Sequence, residues 1–126
     1  MAGSGERVLV VDDDRSLRLL CRVNLELDGY GVVEAATLDE ARSALAEELV
    51  DVVLLDVHVG AASGLDLLDE LERERPSLPV ALLTGESGLP PEARGRAAAV
   101  VSKPFPIEAL TGTVERLLGP GRVASQ

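Results

Sequence analysis

The 126-residue chain has 12 basic and 22 acidic side chains, a formal net charge of −10, and 46% hydrophobic residues. This composition predicts one globular domain, and the negative charge disfavours direct binding to nucleic acids. With one Phe, one Tyr and no Trp, the chain lacks the rings that stack on single-stranded nucleic acids, flavins or sugars. No apolar run is long enough to span a membrane, and the single cysteine excludes a disulfide framework and favours a reducing, cytoplasmic setting.

Short apolar runs of strand length alternate with longer amphipathic stretches along the chain. The runs are rich in Val and Leu, which is typical of strands that are buried on both faces of a parallel sheet. The five predicted strands are Val8–Val11, Val32–Val33, Val50–Leu55, Val80–Leu83 and Val100–Val101. Because strands and helices alternate, the pattern predicts an α/β fold with a doubly wound parallel sheet and helices on both faces.

Helices are predicted after four of these strands. The apolar face of the first comprises Leu17, Leu20, Cys21, Asn24 and Leu27. Cys21 is expected to be a core residue without a chemical role. The second helix is predicted to begin at the capping residue Thr37, the third to end near Pro76, and the last to begin at Pro106.

Polar side chains follow four of the five predicted strands at the point where each strand ends. They are Asp12-Asp13-Asp14 after the first strand, Asp56 after the third, Thr84-Gly85 after the fourth, and Lys103 after the fifth. In a doubly wound sheet the carboxyl ends of the strands share one edge, where ligands bind. The sequence therefore predicts a cluster of carboxylates, one hydroxyl and one ammonium around a shallow cleft.

Such a cluster of carboxylates requires a counter-charge. Two like charges at about 4 Å repel by about 4 kcal/mol at an effective dielectric constant of about 20. Mg²⁺ fits best, since it prefers oxygen ligands, keeps several waters and accepts a substrate phosphate. Together with the hydroxyl of Thr84 and the ammonium of Lys103, the cluster predicts phosphoryl transfer to a carboxylate.

Each motif also has a purely structural interpretation. The acidic run Asp12–Asp14 can cap the first helix, and Asp56 can start an Asx turn. Thr84-Gly85 is also typical of a strand followed by a turn, and Lys103-Pro104 of an ordinary surface pair. Only the combination, with each motif at the end of its own strand, indicates a functional site.

In combination, these motifs resemble those of response-regulator receiver domains, the phospho-acceptor domains of two-component signal transduction. The matching segments are Val10-Val11-Asp12-Asp13, Leu54-Leu55-Asp56, Gly64 at eight residues after Asp56, Leu83-Thr84-Gly85 and Lys103-Pro104-Phe105. The resemblance implies a flavodoxin-like (βα)5 fold with the strand order 2-1-3-4-5. We expect residues 1–6 to be a flexible N-terminus, 7–118 the receiver domain, and 119–126 a C-terminal tail or a truncated linker.

The resemblance also implies the identity of the acceptor and of the metal ligands. Asp56 would accept the phosphoryl group from a sensor histidine kinase or a histidine phosphotransfer protein. Asp13, Asp56 and the backbone carbonyl of His58 would bind Mg²⁺, for which Mn²⁺ could substitute. Asp12 would act mainly through a bound water. The imidazole of His58, two residues beyond the acceptor, is expected to tune the lifetime of the phosphorylated state.

Three further residues are implied to bind the phosphoryl group: Thr84, the amide of Gly85, and Lys103. The Lys103–Pro104 peptide bond is expected to be cis. The only chemistry expected is self-catalysed phosphotransfer and autodephosphorylation, with output through a downstream effector protein or a fused output domain.

Three features depart from the family pattern. Gly60 stands where receivers usually carry a proline, which predicts a more flexible loop. Val100 replaces the aromatic residue whose rotation is usually coupled to movement of Thr84. The interval from Thr84 to Lys103 is a few residues short and contains two prolines and Gly95, so a regular fourth helix is not expected. The output surface is therefore expected to differ from that of many relatives.

Two other functions stay open on the sequence. The run Asp12–Asp14 also resembles the nucleophile loop of haloacid-dehalogenase-type phosphatases, in which Asp12 rather than Asp56 would be phosphorylated. Against this alternative, the chain has no cap domain and Asp56 would have no role. The other alternative is a non-switching pseudo-receiver that serves as an interaction module. Such modules usually lack an acceptor or a metal ligand, and none is missing here.

Overall fold

The computed structural model describes residues 5–85 and 88–118. Its strands, in chain order, are β1 (Arg7–Val11), β2 (Gly31–Ala35), β3 (Val52–Asp56), β4 (His58–Val59), β5 (Ala62–Ser63), β6 (Val80–Thr84) and β7 (Ala99–Ser102). β4 and β5 form a small antiparallel hairpin, and the other five strands form one parallel sheet in the order β2-β1-β3-β6-β7. Counted along the chain, this is the predicted order 2-1-3-4-5. The expected tail at 119–126 and residues 1–4 of the expected flexible N-terminus lie outside the described residues.

The helices begin at capping residues that the sequence supplies. In the described ranges they are α1 (Arg15–Leu27), α2 (Leu38–Glu47), α3 (Gly64–Glu74) and α4 (Ile107–Leu118). The side chains of Asp14, Thr37 and Ser63 accept hydrogen bonds from the first free N–H groups of α1, α2 and α3, respectively. Among these helices, none has the length and apolar character required to cross a membrane.

The sheet is covered on both faces, as predicted. Alternate residues of β1 point to opposite sides. Leu9 and Val11 pack with α2 and α3, whereas Val8 and Val10 pack with α1 and α4. The central strand β3 is buried along its whole length, which accounts for its continuous run of Val and Leu.

The predicted buried face of α1 is partly wrong. Cys21 is buried as predicted, but Leu20 and Leu27 are 45% and 79% exposed, and the other fully buried position is Leu25. Leu17 is only partly buried. Cys21 and Leu25 pack against α4 and the sheet. The remaining apolar residues of α1, such as Leu20 and Leu27, lie outside this contact and stay exposed.

The described residues of the connection between β6 and β7 form no α-helix, as the prolines and Gly95 predicted. They contain a short 3-10 turn at Pro91–Ala93, and Gly95 has a φ of 76°. Arg96 fastens this connection to α3 through ion pairs with Asp69 and with Glu72, the latter at 2.7 Å. The described part of the chain therefore keeps the five parallel strands of a (βα)5 arrangement and has four α-helices.

Candidate functional site

Three carboxylates meet at the carboxyl edge of the sheet. β1 and β3 are parallel neighbours with Val11 opposite Leu55, so the next residues, Asp12 and Asp56, lie side by side. One oxygen from each of Asp12, Asp13 and Asp56 lies within 4.8 Å of the others. The parallel register thus brings together residues that are 44 positions apart in the sequence.

The ammonium of Lys103 lies between two of these carboxylates. Its Nζ donates hydrogen bonds to Oδ2 of Asp12 at 2.7 Å and to Oδ2 of Asp56 at 2.9 Å. The backbone N–H of Lys103 also donates to the carbonyl of Thr84 at 2.7 Å, which fixes the end of β7 beside β6. The Lys103–Pro104 bond is cis, as expected. Lys103 is the only lysine in the chain, a signal that was available in the sequence.

Burial and charge act in opposite directions on these groups. Asp12 is fully buried, and this burial raises the pKa of its carboxyl above the ordinary value of 3.8 despite the hydrogen bond from Lys103. Burial by itself would lower the pKa of Lys103, but its hydrogen bonds to Asp12 and Asp56 outweigh that effect and raise it. The carboxylates therefore favour a further positive charge at this edge.

Hydrogen bonds from the backbone hold the carboxylates of Asp12 and Asp56 in place. Oδ1 of Asp12 accepts from the N–H of Asp14 at 2.9 Å, and Oδ1 of Asp56 accepts from the N–H of His58 at 3.0 Å. His58 belongs to the β4–β5 hairpin, and it is exposed. Each bonded oxygen keeps a lone pair for another partner.

The loop between β3 and α3 depends on two glycines. Gly60 has a φ of 62°, a value that proline cannot adopt, so the usual proline would not fit this loop conformation. Gly64 donates to the carbonyl of Val57 at 2.6 Å, and a Cβ at Gly64 would lie 2.0 Å from the carbonyl oxygen of Asp56. The sequence identified Gly64 only by its spacing; the structure shows that it lets α3 begin directly against the end of β3.

A hydroxyl group is buried at the same edge. Thr84 ends β6 and is 3% exposed. Its Oγ1 has no hydrogen-bond partner within residues 5–85 and 88–118. Buried hydroxyls are normally satisfied, so this one fits a ligand that accepts a hydrogen bond. The adjacent Gly85 is exposed, at the opening of the site.

Comparison with protein families agrees with this geometry. The family model for the response regulator receiver domain matches residues 8–115. The C4-dicarboxylate transport transcriptional regulatory protein DctD of Pseudomonas aeruginosa is 38% identical over 118 residues, which cover 89% of this chain and 25% of that protein. The probable transcriptional regulatory protein TcrX of Mycobacterium tuberculosis is 36% identical over 119 residues, which cover 92% of this chain and 51% of that protein. The chain thus spans a quarter to a half of the length of these curated relatives.

Solved structures show the same fold. A CheY-like receiver domain protein from Methanospirillum hungatei has a TM-score of 0.84 and 26% identity, with 98% of this chain and 100% of that chain covered. The receiver domain of NtrX from Brucella abortus has a TM-score of 0.83 and 31% identity, with 90% of this chain and 98% of that chain covered. The response regulator TrrA from Thermotoga maritima, solved in complex with Mg(2+)-BeF, has a TM-score of 0.76 and 28% identity, with 89% and 98% covered. The chain belongs to the response regulator receiver family and is a receiver domain of two-component signal transduction.

Proposed function

We propose that Asp56 accepts a phosphoryl group from the phosphohistidine of a sensor histidine kinase or a histidine phosphotransfer protein, in a Mg²⁺-dependent reaction. The proposal rests on one observation: Asp12, Asp13, Asp56 and the ammonium of Lys103 lie together at the carboxyl edge of the sheet. A cation and an ammonium beside a carboxylate nucleophile provide the charge neutralisation that phosphoryl transfer requires. We place this function in the cytoplasm, where such kinases present their phosphohistidine.

The donor set fits Mg²⁺. Asp12, Asp13 and Asp56 would hold the ion together with the backbone carbonyl of His58, and Mn²⁺ could replace it. Hard cations of this kind take oxygen ligands, and the three carboxylate oxygens are close enough to share one ion. When bound, the ion supplies positive charge to the phosphoryl oxygens. The relative TrrA was solved in complex with Mg(2+)-BeF, which supports Mg²⁺ as the ion.

The side chains of the site then have distinct tasks. An oxygen of Asp56 attacks phosphorus, and the P–N bond to the donor histidine breaks as the new P–O bond forms. The donor imidazole, which carries a proton on its other ring nitrogen, takes the electron pair of the P–N bond and leaves as a neutral ring. The ammonium of Lys103, already 2.9 Å from Asp56, would pair with one phosphoryl oxygen. The unpartnered hydroxyl of Thr84 and the amide of Gly85 would donate hydrogen bonds to another.

Labelling by acetyl phosphate tests the acceptor. With Mg²⁺ present, we expect the intact mass to increase by one phosphoryl group, and borohydride reduction followed by peptide mapping to locate it on Asp56. Removal of Mg²⁺ with a chelator should abolish labelling. Asp56→Asn should not be labelled, whereas Asp66→Asn, which removes an exposed carboxylate on α3, should be labelled like the wild type.

The same experiment separates the alternatives. Label on Asp12 instead of Asp56 would indicate phosphatase-type chemistry, which the family match does not favour. Beryllofluoride, which mimics an acyl phosphate, provides a second readout through Mg²⁺-dependent changes in amide NMR shifts around Thr84. A wild-type domain that responds to neither reagent would be a pseudo-receiver, and the proposed function would be wrong.

The exposed imidazole of His58 is expected to shorten the lifetime of the phosphorylated state. Its backbone N–H is bonded to Asp56, so the side chain starts beside the acceptor, where it can orient an attacking water. Replacing His58 by alanine should lengthen the lifetime several-fold, measured as loss of the label after the donor is removed. Equal lifetimes in wild type and variant would contradict this role.

We also propose that phosphorylation changes binding to a downstream effector, either a separate protein or a fused output domain. The relatives DctD and TcrX, named as transcriptional regulators, are longer than this chain, which supports a fused or partner output module. Val100, on β7, is 46% exposed and has no ring to rotate. Val100 therefore cannot act as an aromatic switch that reports phosphorylation to the surface.

A further inference from the structure

Arg18 connects three elements behind the acidic cluster. It lies in α1, and its side chain is only 14% exposed. Its Nη1 donates to the backbone carbonyl oxygen of Asp12 at 2.7 Å, and its Nε donates to Oε1 of Glu34 at 3.0 Å. Because Glu34 belongs to β2, one planar guanidinium joins α1, the end of β1 and β2.

The carbonyl that Arg18 contacts belongs to the peptide group between Asp12 and Asp13. A peptide group is planar, so a hydrogen bond that fixes its oxygen also fixes the direction of the Asp13 N–H. The carboxylate of Asp12 is held directly by Asp14 and Lys103. The carboxylate of Asp13 is exposed, and no residue of the described ranges donates a hydrogen bond to it. The position of Asp13 therefore depends on the orientation of this peptide group.

The guanidinium is itself held firmly. Glu34 accepts from Arg18 with one oxygen and from Nη1 of Arg22, at 2.6 Å, with the other. An arginine side chain can bind two acceptors at once because its donors form a rigid fork. The charge of Arg18 is also balanced by Glu34, so it adds little repulsion toward a cation at the nearby cluster.

We propose that Arg18 is a positioning residue for the metal site: it orients the Asp12–Asp13 peptide and thereby sets the affinity for Mg²⁺. The inference rests on the proposed function of the acidic cluster as a Mg²⁺ site. Arg18 touches neither the ion nor the phosphoryl group; it acts through the backbone. Outer residues that orient metal ligands typically change metal affinity by about 10- to 100-fold when they are replaced.

Mg²⁺ titration by isothermal calorimetry, without any phosphodonor, tests the proposal. Arg18→Met should weaken Mg²⁺ binding by about 10-fold, the lower end of that range. Arg18→Lys, which keeps the charge but cannot bind both acceptors in the same geometry, should weaken it to a similar extent. Arg22→Met is the matched control, because it removes the other partner of Glu34 without a contact to Asp12, and its Mg²⁺ affinity should equal that of the wild type.

Two further measurements distinguish positioning from a structural role. Urea midpoints should fall in both Arg18→Met and Arg22→Met, since each loses an ion pair with Glu34 and Arg22→Met also loses one with Glu26. In the metal-free protein, the amide NMR signal of Asp13 should shift in the Arg18 variants and stay in place in Arg22→Met.

Three results would overturn the inference. Equal loss of Mg²⁺ affinity in Arg22→Met would show that Arg18 acts only through stability. Tighter binding in Arg18→Met with unchanged binding in Arg18→Lys would show that it acts only through charge. A wild-type domain that binds no Mg²⁺ would overturn the proposed metal site itself, and the inference with it.

Discussion

Replacement of Gly64 by alanine is expected to destabilise the domain by about 3 kcal/mol, the upper range for an overpacked site. The added Cβ would lie 2.0 Å from the carbonyl oxygen of Asp56 and 3.1 Å from its carbonyl carbon. Both are backbone atoms of a fully buried strand, so neither can move aside cheaply. The urea midpoint of the variant should fall, and labelling by acetyl phosphate should slow because α3 would push against Asp56.

Gly112→Ala provides the control for this prediction. A Cβ at Gly112 meets no atom within 4 Å, and the residue lies inside α4. Because glycine is a poor helix former, the alanine variant should be more stable than the wild type by about 0.5–1 kcal/mol. If both alanine variants had the same urea midpoint, the close approach of Gly64 to Asp56 would not be a constraint on the fold.

Replacement of Lys103 by methionine is expected to slow phosphorylation of Asp56 by about 100-fold or more, the typical effect of removing one preorganised donor from a developing charge. Methionine has a similar length but no charge. It would leave Asp12 and Asp56 without the ammonium that now bonds to both. Initial rates of labelling by acetyl phosphate measure the effect. Arg116→Met, which removes one positive charge from the exposed face of α4, should label at the wild-type rate.

The Lys103→Met variant should also show a changed dependence of stability on pH. Burial raises the pKa of Asp12 in the folded state above 3.8, so the folded protein holds this proton more tightly than the unfolded chain does. The protonated carboxyl of Asp12 therefore stabilises the folded state at a pH below its pKa in the unfolded chain. This stabilisation is lost as the pH rises through the pKa of Asp12 in the folded state. Without the hydrogen bond from Lys103, the pKa of Asp12 in the folded state should rise further. The free energy of unfolding should then decrease more steeply above about pH 4 in the variant than in the wild type.

Urea midpoints measured from about pH 4 upward, with and without saturating Mg²⁺, check this expectation. Mg²⁺ should restore more stability to Lys103→Met than to the wild type, because the ion would replace the positive charge that the variant lacks beside Asp12 and Asp56. The same pH profile in both proteins would mean that Lys103 does not set the protonation of Asp12.

The sequence by itself determined the sheet and the place of the site. Continuous Val and Leu runs indicated buried parallel strands, and the carboxyl ends of such strands meet at one edge. Asp12, Asp56, Thr84 and Lys103 could therefore be assigned to one cleft without coordinates. The prolines and Gly95 likewise indicated that the connection between β6 and β7 has no regular helix, which the described residues confirm.

Only the tertiary structure decided which apolar residues of α1 are buried and how the site is supported. Helical periodicity predicted a buried face of α1 that includes Leu27, whereas the structure buries Cys21 and Leu25 and leaves Leu27 exposed. The contact from Arg18 to the carbonyl of Asp12 has no sequence signature, since a backbone oxygen accepts from any donor that the fold brings near. The approach of Gly64 to Asp56 is equally invisible in the sequence, because spacing identifies a glycine but only the angle between β3 and α3 makes a Cβ impossible there.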